Sequence, residues 1–179
     1  MSKIAVLGPE NTFHDIARKK YIPHFEPQFF NNFDEIFEAL QVGRVSSALI
    51  AIKNSSSGFV SNNLERIKSN GYRIVEEFDL PVNLHLGSKF PNSLERIRKI
   101  YSHPMAIKET QKYFRKYSHI KFIATASTAG AIEEVQNNNE TNVAVIASRE
   151  ALVDGRLLLI SANIEDEPNN ATTFSLIEK

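Results

Sequence analysis

The 179-residue sequence predicts an α/β fold in two lobes. Three observations carry this expectation. Short apolar runs alternate with segments of helical period along the whole chain. Each half has its own strand–helix series, with no sequence repeat. Hinges suggest themselves near Phe78–Pro81 and again near Glu165–Asn170, which sets apart a second lobe of about residues 79–169.

In the first half, Ile4–Leu7 reads as a buried strand and Thr12–Lys20 as a helix with Thr12 as N-cap. Phe29–Phe30 ends a second strand. Asn32 stands three residues before Glu35, a capping-box variant, and Phe33, Ile36, Phe37 and Leu40 form one apolar helical face closed by Gly43. Ala48–Ile52 is a third strand, Asn54–Gly58 a loop, Val60–Lys68 a helix and Tyr72–Phe78 extended. After Pro81, Ile97–Tyr101 reads as a strand and Pro104–Tyr117 as one helix, with proline suited to its first turn. Lys121–Ala124 is a strand, Ser127–Gln136 a helix, Val143–Ala147 a strand, Ser148–Val153 a short helix and Leu157–Ile160 a strand. Thr172–Ile177 is the last strand. Such alternation predicts mostly parallel pairing.

Lys plus Arg and Asp plus Glu number 21 each, so the net charge is zero, and a nucleic-acid partner is not expected. There is no Cys, which excludes disulfides, a thiolate nucleophile and thiolate zinc ligation. The run from Met1 to Gly8 reads as a first strand rather than a signal peptide. No stretch approaches the roughly 18 apolar residues of a membrane span. A cytoplasmic protein without membrane attachment is the expectation.

Polar residues gather at strand-to-helix turns: Gly8–Thr12, Lys53-Asn54-Ser55, Ser102-His103-Pro104, Ala126-Ser127-Thr128 and Ala147-Ser148-Arg149. In open α/β sheets the carboxyl ends of strands face the ligand crevice, and helix N-termini there favour anions. Each turn also has a plainer reading. Ser127 or Thr128 suits a helix cap, His103 a turn, and Asn54–Gly58 an ordinary connection. Gly8-Pro9-Glu10-Asn11 holds one glycine and is no nucleotide fingerprint. His14, His24, His85 and His119 lack metal-ligand spacing and read as surface or locally hydrogen-bonded groups. Residue by residue, the sequence reaches an α/β protein with a cleft suited to a small anion.

Taken in order, these turns resemble the prephenate dehydratase family. Gly8-Pro9-Glu10-Asn11-Thr12-Phe13 is similar to its Gly-Pro-x-Gly-Thr-Phe, and Asn54-Ser55-Ser56-Ser57-Gly58-Phe59-Val60 to its Glu-Asn-Ser-x-x-Gly-x-Val. Ser102-His103-Pro104, Ser127-Thr128-Ala129, Ala144–Ser148 and Asn170-Ala171-Thr172-Thr173-Phe174 resemble its Ser-His-Pro-Gln, Ser-Thr-Ala, Ala-Ala-Ile-Ala-Ser and Asn-x-Thr-Arg-Phe segments. The resemblance implies two α/β lobes similar to a type II periplasmic binding protein, with the ligand cleft between them. Lobe one is then about 1–78 plus 170–179. It also implies loss of water and carbon dioxide from prephenate to give phenylpyruvate, without cofactor or metal. Thr172 matches the family's essential threonine. Thr12, Lys53, Asn54, Ser55, Ser102, His103, Ser127, Thr128, Thr173 and Phe174 are the implied substrate-binding residues.

Five positions depart from the pattern. Thr173 stands where the family has Arg, Lys53 where it has Glu, His14 for Ser, Met105 for Gln and Asn11 for Gly. A bidentate carboxylate clamp is lost at 173, and Lys53 is expected to supply the missing positive charge. Bacterial members usually continue into an ACT regulatory domain; the chain stops before one, so feedback within the chain is not expected. The alternatives are a non-aromatising prephenate decarboxylase and a non-catalytic carboxylate-binding protein. A homodimer or homotetramer is the expected assembly.

Overall fold

The computed structural model describes residues 3–179. Met1 and Ser2, read above as the start of the first strand, lie outside the described residues. The elements run β1 (Lys3–Leu7), α1 (Phe13–Tyr21), β2 (Glu26–Phe30), α2 (Phe33–Gln41), β3 (Ser47–Asn54), β4 (Gly58–Phe59), α3 (Asn63–Ser69), β5 (Arg73–Pro81) and β6 (His85–Ser88). They continue as β7 (Lys99–Ser102), α4 (Pro104–Lys108), α5 (Gln111–Phe114), β8 (Lys121–Ala124), α6 (Thr128–Asn137), β9 (Val143–Ala147), α7 (Arg149–Asp154), β10 (Leu158–Ser161) and β11 (Ala171–Glu178).

The chain divides into two compact units. One runs to Val82 and resumes over Asn169–Lys179; the other is Asn83–Pro168. The first unit holds a sheet in the order β2-β1-β3-β11-β5, with β4 paired to β3. One face of it, with Ala48, Ile50 and Ile177, packs on Ile36, Phe37 and Leu40 of α2 and Ile67 of α3. The other face, with Leu49, Ala51, Phe174 and Leu176, packs on Ile16 and Ala17 of α1. The second unit holds a sheet in the order β10-β6-β9-β7-β8. There Val143, Val145 and Ala147 pack under Ile132 and Val135 of α6 and Leu152 of α7.

The helix caps read from the sequence are formed. Thr12 Oγ1 accepts from the Asp15 N–H at 3.3 Å. Asn32 Oδ1 accepts from the Glu35 N–H at 2.9 Å, and the Glu35 carboxylate reaches back to the Asn31 N–H at 3.1 Å.

Three expectations are corrected, and one strand is added. Pairing is mixed rather than mostly parallel: β1 is parallel to β2 and β3, and β7 to β8 and β9. β11 is antiparallel to β3 and β5, and β6 to β9 and β10, because both enter their sheets as return strands. β6 itself escapes a pattern search, since Gly87 interrupts it. A Cβ there would lie 2.6 Å from Leu152 Cδ2, so glycine permits the close approach of α7.

The third helix begins at Asn63, not Val60. The Val60 N–H still bonds to Ile52 O at 3.0 Å, and Ser61 turns the chain with φ 51°. The single helix expected over 104–117 is two, α4 and α5. Asp166 decides this: its N–H donates to Glu109 O at 2.7 Å, and its carboxylate accepts from the Lys112 and Tyr113 N–H groups at 2.9 and 3.0 Å. A distant side chain caps a new helix where the local pattern would continue the old one. Among the described residues, no helix is long and apolar enough to cross a membrane.

Candidate functional site

In the first unit β1 and β3 are parallel neighbours, yet the chain joins them through β2 on the far side of β1. Strand order reverses between them, and α1 and α2 leave to opposite faces. Their carboxyl ends make a topological switch point, where open α/β sheets bind ligands. Thr12 lies on the turn after β1. It caps α1 and donates its own hydroxyl hydrogen to Leu7 O at 3.0 Å.

A β-bulge shapes the end of β3. Thr172 lies opposite Asn54, Thr173 opposite Lys53 and Phe174 opposite Ala51, which leaves Ile52 as the extra residue. Regular alternation would put Asn54 and Ala51 on opposite faces. The bulge returns Asn54 to the face of Ala51 and Phe174, where Thr172 also points.

There the Asn54 amide is fixed at both ends. Its Oδ1 accepts from the Ser56 and Ser57 N–H groups, both at 2.9 Å, and from Ser57 Oγ at 3.1 Å. Its Nδ2 donates to Asn170 Oδ1 at 2.8 Å and to Thr172 Oγ1 at 3.0 Å. Thr172 therefore spends an oxygen lone pair on Asn54. Among the described residues, nothing accepts its hydroxyl hydrogen. Ser55 Oγ accepts from the Ala171 N–H at 2.9 Å and lies 3.3 Å from Asn170 Oδ1, so it ties the start of β11 to the loop after β3.

Lys53, Thr173 and Asp79 form a cross-strand row on the opposite face. Thr173 Oγ1 donates to Asp79 Oδ1 at 2.6 Å. Lys53 is exposed and has no ion pair among the described residues. A cation thus stands beside position 173, one strand away, but on the side of the sheet away from the Thr172 hydroxyl.

His14 is not a surface group: it is 9% exposed. Its Nε2 accepts from the Ala51 N–H at 3.4 Å, and its ring meets Phe174 edge-on at 4.9 Å. Burial lowers its pKa from 6.5 to about 3, so it is neutral. Asn63 donates to Ala51 O at 2.9 Å. These two side chains satisfy the backbone of Ala51 just beyond the Val6–Leu49 pair, where β1 pairing stops. Phe174, at 1% exposure, is a core residue. Asn11 has φ 63°, a conformation that asparagine tolerates nearly as well as the family's glycine.

In the second unit, Ser102 is fully buried and donates to Ile146 O at 2.8 Å, which joins β7 to β9. His103 caps α4, its Nδ1 accepting from the Met105 N–H at 3.2 Å, and Met105 is exposed. Ser127 caps α6 through the Gly130 N–H at 3.0 Å. Thr128 opens α6, and no side-chain hydrogen bond engages it among the described residues. Nor does any group of three or more His, Asp or Glu among those residues have the geometry of a metal site.

Sequence reasoning overlooked Asn170, Asn63 and Asp79 as partners of the site residues. Asn170 lies 116 residues from Asn54 in the chain, and no local pattern signals such a pair.

A family model described as prephenate dehydratase matches residues 4–179. The prephenate dehydratase of Lactococcus lactis subsp. cremoris (strain MG1363) is 32% identical over 179 residues, covering 99% of this chain and 63% of that protein. The chain thus spans less than two-thirds of the length of that relative. The prephenate dehydratase structure from Staphylococcus aureus subsp. aureus Mu50 superposes with a TM-score of 0.85 at 25% identity, over 98% of this chain and 66% of that one. A periplasmic substrate-binding protein of an ABC transporter from Coxiella burnetii shares the fold, with a TM-score of 0.55 at 14% identity over 100% and 85% of the two chains. The architecture is therefore the α/β fold common to prephenate dehydratase catalytic domains and periplasmic binding proteins, and the chain belongs to the prephenate dehydratase family.

Proposed function

We propose that this chain converts prephenate to phenylpyruvate with loss of water and carbon dioxide. The observation that carries this reading is the 3.0 Å bond from Asn54 Nδ2 to Thr172 Oγ1. It makes Thr172 an acceptor toward Asn54 and leaves its hydrogen for a substrate oxygen. In the reaction the bond to the ring carboxylate breaks, and its electron pair enters the ring as carbon dioxide departs. The ring carbon–oxygen bond breaks in turn, and the hydroxyl leaves as water after taking a proton from solvent. Aromatisation drives both cleavages.

Thr172 donates a hydrogen bond to the departing oxygen. A threonine hydroxyl is too weak an acid to surrender its proton, so its contribution is electrostatic and orientational. Its direction is set in advance, and no reorganisation is needed at the moment of reaction.

A second reading, decarboxylation without aromatisation, is supported by the departure at 173, where Thr173 stands for the family's arginine and bonds to Asp79 on the face away from Thr172. Incubating the protein with prephenate near neutral pH and following the products by proton NMR separates the two. Phenylpyruvate supports dehydration, a non-aromatic decarboxylated product supports the second reading, and unchanged prephenate overturns both.

A further inference from the structure

We infer that Asn170 is a positioning residue that sets the donor direction of the Thr172 hydroxyl by fixing the Asn54 amide; its role in turnover rests on the dehydratase reading above. Asn170 is 4% exposed and sits one residue inside the point where the chain re-enters the first unit. Its own backbone is held, since Asn170 O accepts from the Val82 N–H at 2.8 Å. Ala171 then pairs with Pro81 as β11 begins. The side-chain oxygen is thus a fixed point. It accepts from Asn54 Nδ2 at 2.8 Å and faces Ser55 Oγ at 3.3 Å.

An asparagine amide has two N–H groups. One goes to Asn170 and the other to Thr172. The Asn54 oxygen is already taken by the Ser56–Ser57 loop, so the amide cannot turn over without exchanging three acceptor bonds for repulsive contacts. Both ends together hold an N–H toward Thr172 Oγ1. A threonine hydroxyl that receives an N–H on its oxygen keeps its own hydrogen for a different acceptor.

Without the Asn170 oxygen, one Asn54 N–H is buried and unpaired. That is unfavourable, and the amide then tilts about its held oxygen to find water or another acceptor. The Thr172 hydroxyl loses its fixed polarity while every group that could bind substrate stays in place. Asn170 never needs to touch the ligand. Aspartate at 170 keeps an acceptor oxygen in the same place; alanine does not.

The test uses Asn170→Ala and Asn170→Asp in the full chain, with two readouts. The first is the pair of Asn54 side-chain amide protons in a proton–nitrogen NMR spectrum, assigned by their disappearance in Asn54→Asp. We expect both protons to be protected from solvent exchange in the parent and in Asn170→Asp, and to exchange at least tenfold faster in Asn170→Ala. The second is prephenate turnover. Asn170→Ala lowers kcat by about 10- to 100-fold with KM within about twofold, and Asn170→Asp restores kcat to within about threefold.

Unchanged Asn54 protons in Asn170→Ala overturn the inference. So does an equal loss of kcat in both variants, which a merely structural role would give. If the parent protein leaves prephenate unchanged, the dehydratase reading fails by itself, and proton exchange still decides whether Asn170 fixes the amide.

Discussion

Asn54 and Thr172 face each other across β3 and β11 only because Ile52 is extruded as a bulge, and the Asn54 amide donates to the Thr172 hydroxyl at 3.0 Å. The bond fixes which way the hydroxyl can donate, and it links the proposed chemistry to the backbone geometry of two antiparallel strands.

Replacing the donor on Thr172 should be severe. On the proposed dehydratase reading, Thr172→Ala removes a preorganised hydrogen bond to the leaving oxygen, so kcat for phenylpyruvate formation should fall by about 100-fold or more, with Thr172→Ser largely active. Asn54→Asp should resemble Thr172→Ala, because a carboxylate at 54 pulls the threonine hydrogen toward itself and away from substrate. Steady-state assays of the three variants check this. An active Asn54→Asp enzyme would contradict the assigned polarity.

The buried histidine should make the protein acid-sensitive. An unfolded His14 takes up a proton near pH 6.5, whereas the folded one resists protonation until about pH 3. Between those values the unfolded state binds more protons, so stability rises with pH and falls as acid is added. For a single proton the slope is about 1.4 kcal/mol per pH unit. His14→Gln keeps an acceptor for the Ala51 N–H and should flatten this slope, measured by denaturant unfolding at pH 4, 5 and 6. Asp15 acts lower down. Burial raises its pKa, but the Asn11 N–H bond and the bonds from Lys19 and Arg18 outweigh that, and the net shift is downward. Its contribution should survive in His14→Gln and be lost only in stronger acid.

Lys53 and Thr173 are cross-strand partners, so the two changes of charge against the family pattern concern one pair. Lys53→Glu with Thr173→Arg should show a favourable coupling of about 0.2–1 kcal/mol in a double-mutant cycle of unfolding. Thr173→Arg alone should be tolerated, with Asp79 as its partner. Zero coupling would show that the row is too exposed to matter.

The break between α4 and α5 depends on Asp166. Asp166→Ala removes the acceptor for two helix N–H groups and should destabilise the protein by about 1–2 kcal/mol in urea. Asp166→Asn, which keeps one acceptor oxygen, should lose less.

Much of the fold was legible from residue order. Thr12, Asn32 and Ser127 cap the helices their spacing announces, because a side-chain oxygen reaches an N–H three residues on without outside help. The candidate site was half legible. Asn54 and Thr172 stood out through their motifs, but the sequence carried no sign of what their hydroxyl and amide bond to. Ser102 and Phe174 also stood out, yet one hydroxyl is committed to Ile146 O and one ring lies in the core.

By itself, then, the sequence determined the α/β class, the near-complete order of elements, the family and the polar turns at strand ends. These rest on interactions of short range, where periodicity and capping act within a few residues. Only the tertiary structure decided the antiparallel return of β11 between β3 and β5, the bulge that turns Asn54 toward Thr172, the burial of His14 and the capping of α5 by Asp166. Each of these needs partners brought together from distant parts of the chain. Their energies come from desolvation and from pairing buried backbone groups, which exist only once the sheet and its helices have closed around them.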